Sequence, residues 1–129
     1  MKNKNKEKKV PEPIGPYSQS ILIEKFLLIS GQIPNQIDSK KIPEDISQQT
    51  KIILKKIKII LKKSNFDIKD IIKINIYITN IKEINKVNKI YKSFFTKNFV
   101  TNFPTRSCVE VSALPQNSKI EIEAMAYKK

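Results

Sequence analysis

Arg106 is the only arginine among 25 basic residues and Cys108 the only cysteine among 129, and both stand in one short stretch, FPTRSCVEV from Phe103 to Val111. In a chain whose default cation is lysine, a single guanidinium is an exception. Its planar fork matches a carboxylate or phosphate through two parallel hydrogen bonds and stays charged, which a lysine ammonium does not reproduce. The stretch reads as an anion clamp; composition alone also leaves open a structural ion pair. There is no histidine, which removes imidazole acid-base chemistry, Ser-His triads and ordinary imidazole metal sites. A single cysteine argues against a zinc site, and two glycines far apart exclude a phosphate-binding loop or a dinucleotide fingerprint. The groups left for proton work are the carboxylates, Tyr17 and Cys108. An arginine clamp beside a carboxylate that holds a water would suit hydrolysis of a small anionic substrate already primed for attack.

The rest of the chain must position those groups. Its 129 residues suit one domain that buries roughly two-thirds of its unfolded surface. We expect a flexible basic tail over 1–10 and a single domain over 11–129. Lysines interrupt every apolar run short of the roughly 18 residues of a membrane span, and the basic N-terminus lacks the apolar stretch of a secretory signal. A soluble, cytoplasmic protein with no membrane partner is expected, and a lone cysteine fits a reducing compartment. The net charge of +13 suits nucleic acid or anionic lipid. Heavy use of lysine, isoleucine and asparagine explains it equally as a compositional bias displayed on solvated faces.

Proline and glycine in PEPIGPYSQ predict a rigid, non-helical lead-in that presents Tyr17. Strands are predicted over Gln19–Glu24 and Phe26–Ile33, joined as a hairpin around Glu24 and Lys25. Both runs are apolar at successive positions, which implies cover on both faces. Gly31, after Ser30, removes a side chain where a strand should carry one, marking a close approach or a bulge. Pro43, Glu44 and Asp45 read as the first turn of a helix running to about Lys63. Ile46, Thr50, Ile53, Leu54, Ile57, Ile60 and Leu61 form its apolar stripe. The opposite arc carries Lys51, Lys55, Lys56, Lys58, Lys62 and Lys63, with Ile52 and Ile59 poorly buried among them. Asn65 suits a left-handed position just past the end.

Ile71–Ile78 alternates, with Ile72, Ile74, Ile76 and Ile78 on one face. A second amphipathic helix holds Ile84, Val87, Tyr91, Phe94 and Phe95, and includes Asn88. Two last strands are predicted over Ser107–Ser112 and Lys119–Tyr127. Parity places Val109, Val111, Ile120, Ile122, Ala124 and Ala126 inward, with Cys108, Glu110, Glu121 and Glu123 outward. The order β-β-α-β-α-β-β makes an α+β domain with two helices on one face of a single sheet. Its other face mixes Leu22 or Leu28 with Cys108 and Glu121, which suits an oligomer with polar residues lining a cleft between subunits. Taken singly, Cys108 also reads as a small buried hydrophobe, Glu121 as a strand-surface carboxylate and Asn88 as a helix-surface amide.

Five segments in order, IGPYSQ (14–19), SGQIP (30–34), VNKIYKSFF (87–95), FPTRSCVEV (103–111) and LPQNSKIEIEAMA (114–126), resemble the Rid/YjgF family of reactive-intermediate deaminases, most closely its RidA subgroup. The resemblance implies a chorismate-mutase-like fold, a homotrimer with clefts at subunit interfaces, and hydrolysis of enamines or imines such as 2-aminoacrylate to 2-oxo acids and ammonia, without cofactor or metal. It implies that Arg106 grips the substrate carboxylate and that Glu121 positions the attacking water. Tyr17 would supply an aromatic wall, Ser30, Gly31 and Asn88 would shape the pocket, and Cys108 would line the cleft more through its backbone than its thiol. Thr105 stands where the family often has alanine, which bears on the size of substrate admitted. The alternative class is RNA binding or cleavage driven by charge, with nucleic acid the less favoured partner.

Overall fold

The computed structural model describes residues 10–129 apart from 37 and 40. Its elements in chain order are β1 (Ser20–Ile23), β2 (Phe26–Gln32), α1 (Ile46–Lys63), β3 (Ile71–Ile78), α2 (Ile84–Lys97), β4 (Thr105–Glu110) and β5 (Ile120–Tyr127). The strands make one mixed sheet in the order β1-β2-β5-β3-β4, in which β3 and β4 run parallel and every other pair is antiparallel. The parallel pair is joined through α2, because a parallel connection needs a crossover. The expected succession of two helices and five strands is what the chain forms.

β5 lies between β2 and β3 at the centre of the sheet, and its burial alternates along its whole length. Ile120, Ile122, Ala124 and Ala126 are buried under the helices, while Glu121, Glu123, Met125 and Tyr127 point to the other, open face. Ile53, Ile57 and Ile60 of α1 and Val87, Tyr91 and Phe95 of α2 close the same core. Each fully buried isoleucine contributes about 1.5–3 kcal/mol over an exposed one, so this layer dominates stability.

Local chemistry explains the element ends. Asp45 is the N-cap of α1, not part of its first turn: its carboxylate accepts the Gln48 amide at 3.1 Å, satisfying a donor the helix leaves unpaired. At the other end Asn65 adopts a positive φ of 63°. The Asn65 amide donates to the Lys62 carbonyl and the Phe66 amide to the Leu61 carbonyl, which terminates the helix. The β1–β2 hairpin turns at Glu24, whose φ is 53°.

Three expectations change. The predicted face of β3 loses Ile72, which is exposed because the β3–β5 ladder shifts register between Ile71 and Lys73. β4 begins earlier than predicted and its facing is reversed. Arg106, Cys108 and Glu110 pair with the buried Ile74, Ile76 and Ile78, so they belong to the helix side, and Val109 is 49 % exposed on the open face. Lys56 leaves the solvated arc and is buried, whereas Ile52 and Ile59 are half-buried. Of the tail expected over 1–10, residues 1–9 lie outside the described residues, and Val10 packs partly buried against the core.

Within the chain the first hairpin is covered on one side. Leu27 and Ile29 are buried, while Ile21, Phe26 and Leu28 leave an apolar surface on the open face. Among the described residues no helix is long and apolar enough to cross a membrane.

Candidate active site

The open face carries Glu121, because β5 alternation leaves it opposite the helices. Gly31 lies against it: a Cβ built on Gly31 would fall 1.9 Å from Glu121 Oε2 and 2.8 Å from its Cδ. Gly31 is therefore where the backbone makes room for a carboxylate, at a register shift in the β2–β5 ladder between Ile29 and Gln32. Ser30 fastens the lead-in to the same strand. Its amide donates to Gln19 O at 2.9 Å and its hydroxyl to Ser18 O at 2.6 Å. The lead-in closes on its own tyrosine, with the Tyr17 amide donating to Gly15 O and the Ile14 amide donating to Tyr17 Oη. Tyr17, Ser30, Gly31 and Glu121 thus share one cavity of about 360 Å³, with Lys56 and Glu123 also in its wall.

The two carboxylates in that wall differ. Glu123 accepts hydrogen bonds from Asn75 Nδ2 at 3.2 Å and Tyr77 Oη at 3.1 Å. Glu121 accepts no side-chain hydrogen bond from the described residues. Desolvation, and secondarily the charge of Glu123, raises the Glu121 pKa above the ordinary carboxylate value. A partly desolvated carboxylate with unused lone pairs suits holding a water and taking its proton. Tyr77 is pushed up first by desolvation and then by its bond to Glu123, so its phenol remains a donor.

Arg106 lies on the other side of the sheet. The parallel register sets it beside Ile74 at the edge strand, and its guanidinium carbon stands 4.9 Å from the centroid of the Tyr91 ring. Tyr91 is itself wedged against Phe95, with ring centroids 4.8 Å apart, and stacks with Phe103. Arg106, Asn88, Tyr91 and Phe103 line a second cavity, also of about 360 Å³. No carboxylate of the described residues lies within 4.0 Å of Arg106, so the structural ion pair that composition left open is not formed within them. Asn88 Oδ1 and Tyr91 Oη are buried with no hydrogen-bond partner among the described residues. Burial pushes the Tyr91 phenol up to about 12 although Arg106 opposes it, so the hydroxyl is an unused donor. Cys108, one pleat along from Arg106, packs against the core. Burial raises its pKa and Arg106 lowers it less, which keeps the thiol protonated and poorly nucleophilic.

The residues singled out from the sequence therefore fall into two groups. Tyr17, Ser30, Gly31 and Glu121 are together on the open face; Arg106 and Asn88 are together on the helix side, where Cys108 packs against the core. One chain does not unite the groups. Sequence reasoning passed over Tyr91, whose place in an apolar helix stripe hid its role under Arg106, and Glu123, whose shared parity with Glu121 was the available signal. It also passed over Lys56, although Ile53 and Ile60 stand three residues before it and four after.

Comparison with known proteins agrees with this fold. Residues 7–128 match the sequence model of the family described as Endoribonuclease L-PSP. A RutC family protein of Buchnera aphidicola subsp. Acyrthosiphon pisum is 54% identical over 122 residues, covering 95% of this chain and 94% of the relative. TdcF of Escherichia coli, whose name places it among the reactive intermediate deaminases, is 37% identical over 128 residues, 99% of this chain and 98% of TdcF. The crystal structure of TdcF with bound serine superposes with a TM-score of 0.90 over 93% of this chain and 94% of that one. The Escherichia coli YjgF gene product, 35% identical, superposes at 0.89 over 93% and 94%. With near-complete coverage in sequence and fold, the chain belongs to the Rid/YjgF family of reactive-intermediate deaminases.

Proposed function

We propose that the chain hydrolyses enamines and imines of the 2-aminoacrylate class to 2-oxo acids and ammonia, without a cofactor, in clefts between the subunits of a homotrimer. The observation that carries this reading is that one fold presents a guanidinium and a carboxylate, neither neutralised by an ion pair among the described residues, in two separate half-sites. Arg106 grips the substrate carboxylate with its fork while Tyr91 backs it. Asn88 shapes the same half-site and the Cys108 backbone lines it. From the neighbouring subunit, Glu121 orients a water, with Tyr17, Ser30 and Gly31 shaping the wall around it. The enamine tautomerises to the imine, and water adds to the imine carbon while giving a proton to Glu121. That proton passes to nitrogen to complete a carbinolamine; the hydroxyl proton then follows to nitrogen through Glu121 as the C–N bond breaks, so that ammonia leaves and a 2-oxo acid remains. An imine is already electrophilic, so positioning supplies much of the acceleration and a histidine is not needed.

The apolar surface of Ile21, Phe26, Leu28 and Val109 on the open face supports burial against another subunit. The serine in the TdcF structure supports a small carboxylate-bearing ligand. The test is ammonia and 2-oxo acid release from enzymatically generated 2-aminoacrylate, comparing wild type with Arg106→Lys and Glu121→Ala. We expect each substitution to lower kcat/KM by about a hundredfold or more. Equal turnover by all three, or none by wild type, overturns the reading. The description of the matched family and the net charge of +13 favour a second reading, RNA cleavage. Cleavage that survives Arg106→Lys and vanishes at high salt would select it.

A further inference from the structure

Two buried polar side chains of α1, Gln49 and Lys56, reach out of the helix to hold other segments, and the segment that Lys56 holds lines the Glu121 cavity. They stand seven residues apart and so share a helix face. Gln49 donates to Pro43 O at 2.7 Å and accepts the Lys119 amide at 2.9 Å, two residues before Glu121. Lys56, only 5 % exposed, uses all three ammonium protons: on Ile33 O at 2.8 Å, on Asn35 O at 3.2 Å and on Asn35 Oδ1 at 2.6 Å. The segment it grips continues directly from Ser30 and Gly31. Lys56 also lines the cavity into which Glu121 projects. A buried ammonium without a counter-ion is costly. Here it supplies three charge-assisted bonds to a loop that no strand pairing holds.

We propose that Lys56 is a positioning residue of this half-site, its ammonium fixing the Ile33–Asn35 backbone so that Gly31 stays where it leaves room for the Glu121 carboxylate. The inference rests on Glu121 being the group that holds the water. A neutral amine has two protons and a lone pair, so one of the three oxygen contacts would become repulsive and the segment would loosen. Burial lowers the Lys56 pKa from 10.5 to about 8, while the three oxygens favour the protonated form; loosening therefore sets in from about pH 8 upward. The titratable groups around it are Glu12 and Tyr17 of the lead-in and Glu121 and Glu123 of β5, which share the cavity. None of the carboxylates lies within ion-pair distance of it among the described residues.

The experiment compares wild type, Lys56→Met, Lys56→Gln and Glu121→Gln by two readouts: kcat/KM on 2-aminoacrylate from about pH 6 to 10, and amide hydrogen exchange over residues 30–36 at fixed pH. We expect the wild-type rate to fall from about pH 8. Lys56→Met should be slower by about tenfold to a hundredfold in kcat at neutral pH, without that alkaline limb. Lys56→Gln, which keeps two N–H donors, should regain part of the rate and also lack the limb. Exchange over 30–36 should accelerate in both Lys56 variants, stay unchanged over β3, and remain wild-type in Glu121→Gln. An alkaline limb or exchange pattern unaltered by either Lys56 substitution overturns the proposal. Should wild type release no ammonia, the deaminase reading fails alone, and the exchange comparison still decides the role of Lys56.

Discussion

Around Glu121 the chain ties its own parts together, whereas around Arg106 it leaves them open. On the first side Ser30, Gln49 and Lys56 spend their donors on loop carbonyls, and Glu123 is held by Asn75 and Tyr77. On the second, Asn88 Oδ1 and Tyr91 Oη are buried without partners among the described residues, and Arg106 lies on an edge strand. A buried polar atom left unpaired costs about 1–3 kcal/mol. A fold that tolerates two beside a free guanidinium is expected to recover that cost from something outside the chain, a ligand or a second copy. The contrast teaches that the fold pre-organises the Glu121 side and leaves the Arg106 side open; under the proposed function, that second side is completed on assembly.

The largest expected effect comes from separating the two sides genetically. Arg106→Ala and Glu121→Ala should each be nearly inactive alone, but subunits unfolded and co-assembled from equal amounts should recover about a quarter of wild-type activity, since that share of randomly formed interfaces pairs an intact Arg106 with an intact Glu121. Mixtures no better than the separate variants would place both residues in one chain's site and break the comparison. Gly31→Ala comes next. The added methyl meets the movable end of Glu121, so the carboxylate swings away; kcat should fall by about tenfold or more with the melting temperature nearly unchanged. The smallest effect is expected at Tyr91. Tyr91→Leu removes the ring under Arg106 and should raise KM by about threefold to thirtyfold, while Tyr91→Phe keeps the ring and tests the unused hydroxyl alone.

Stability and activity should also separate with pH on the Lys56 side. The folded pKa of Lys56, about 8, lies below its ordinary 10.5, so across that interval the unfolded chain binds the extra proton. Stability of wild type relative to Lys56→Met therefore rises with pH over the same range in which activity falls. A parallel decline of both in calorimetry and rate profiles would assign the loss of activity to general unfolding.

Periodicity made much of this molecule legible. The stripe from Ile46 to Leu61 and the alternation of β5 follow from sequence spacing, because helix and strand geometry turn spacing directly into facing. Asn65 was legible because few residues tolerate the left-handed turn that ends α1. Arg106 stood out because nothing else in the chain offers a guanidinium. Lys56 was misread because a lysine is ordinarily solvated, and only three oxygens converging from another segment make its burial tolerable. β4 was misread because Cys108, Val109 and Val111 are all compatible with either face, so parity within the strand carries no absolute direction.

What the sequence determined by itself, then, is the order of elements, the apolar stripes of the two helices, the alternation of the last strand and the residue types available for chemistry. These are consequences of spacing and of what each side chain can donate or accept. The tertiary structure alone decided which face Arg106 takes, because that depends on the register of β4 against β3. It alone decided that Gly31 yields its space to Glu121 and that Lys56 reaches Asn35. Each of these depends on where two segments distant in sequence meet, and no local period encodes that meeting.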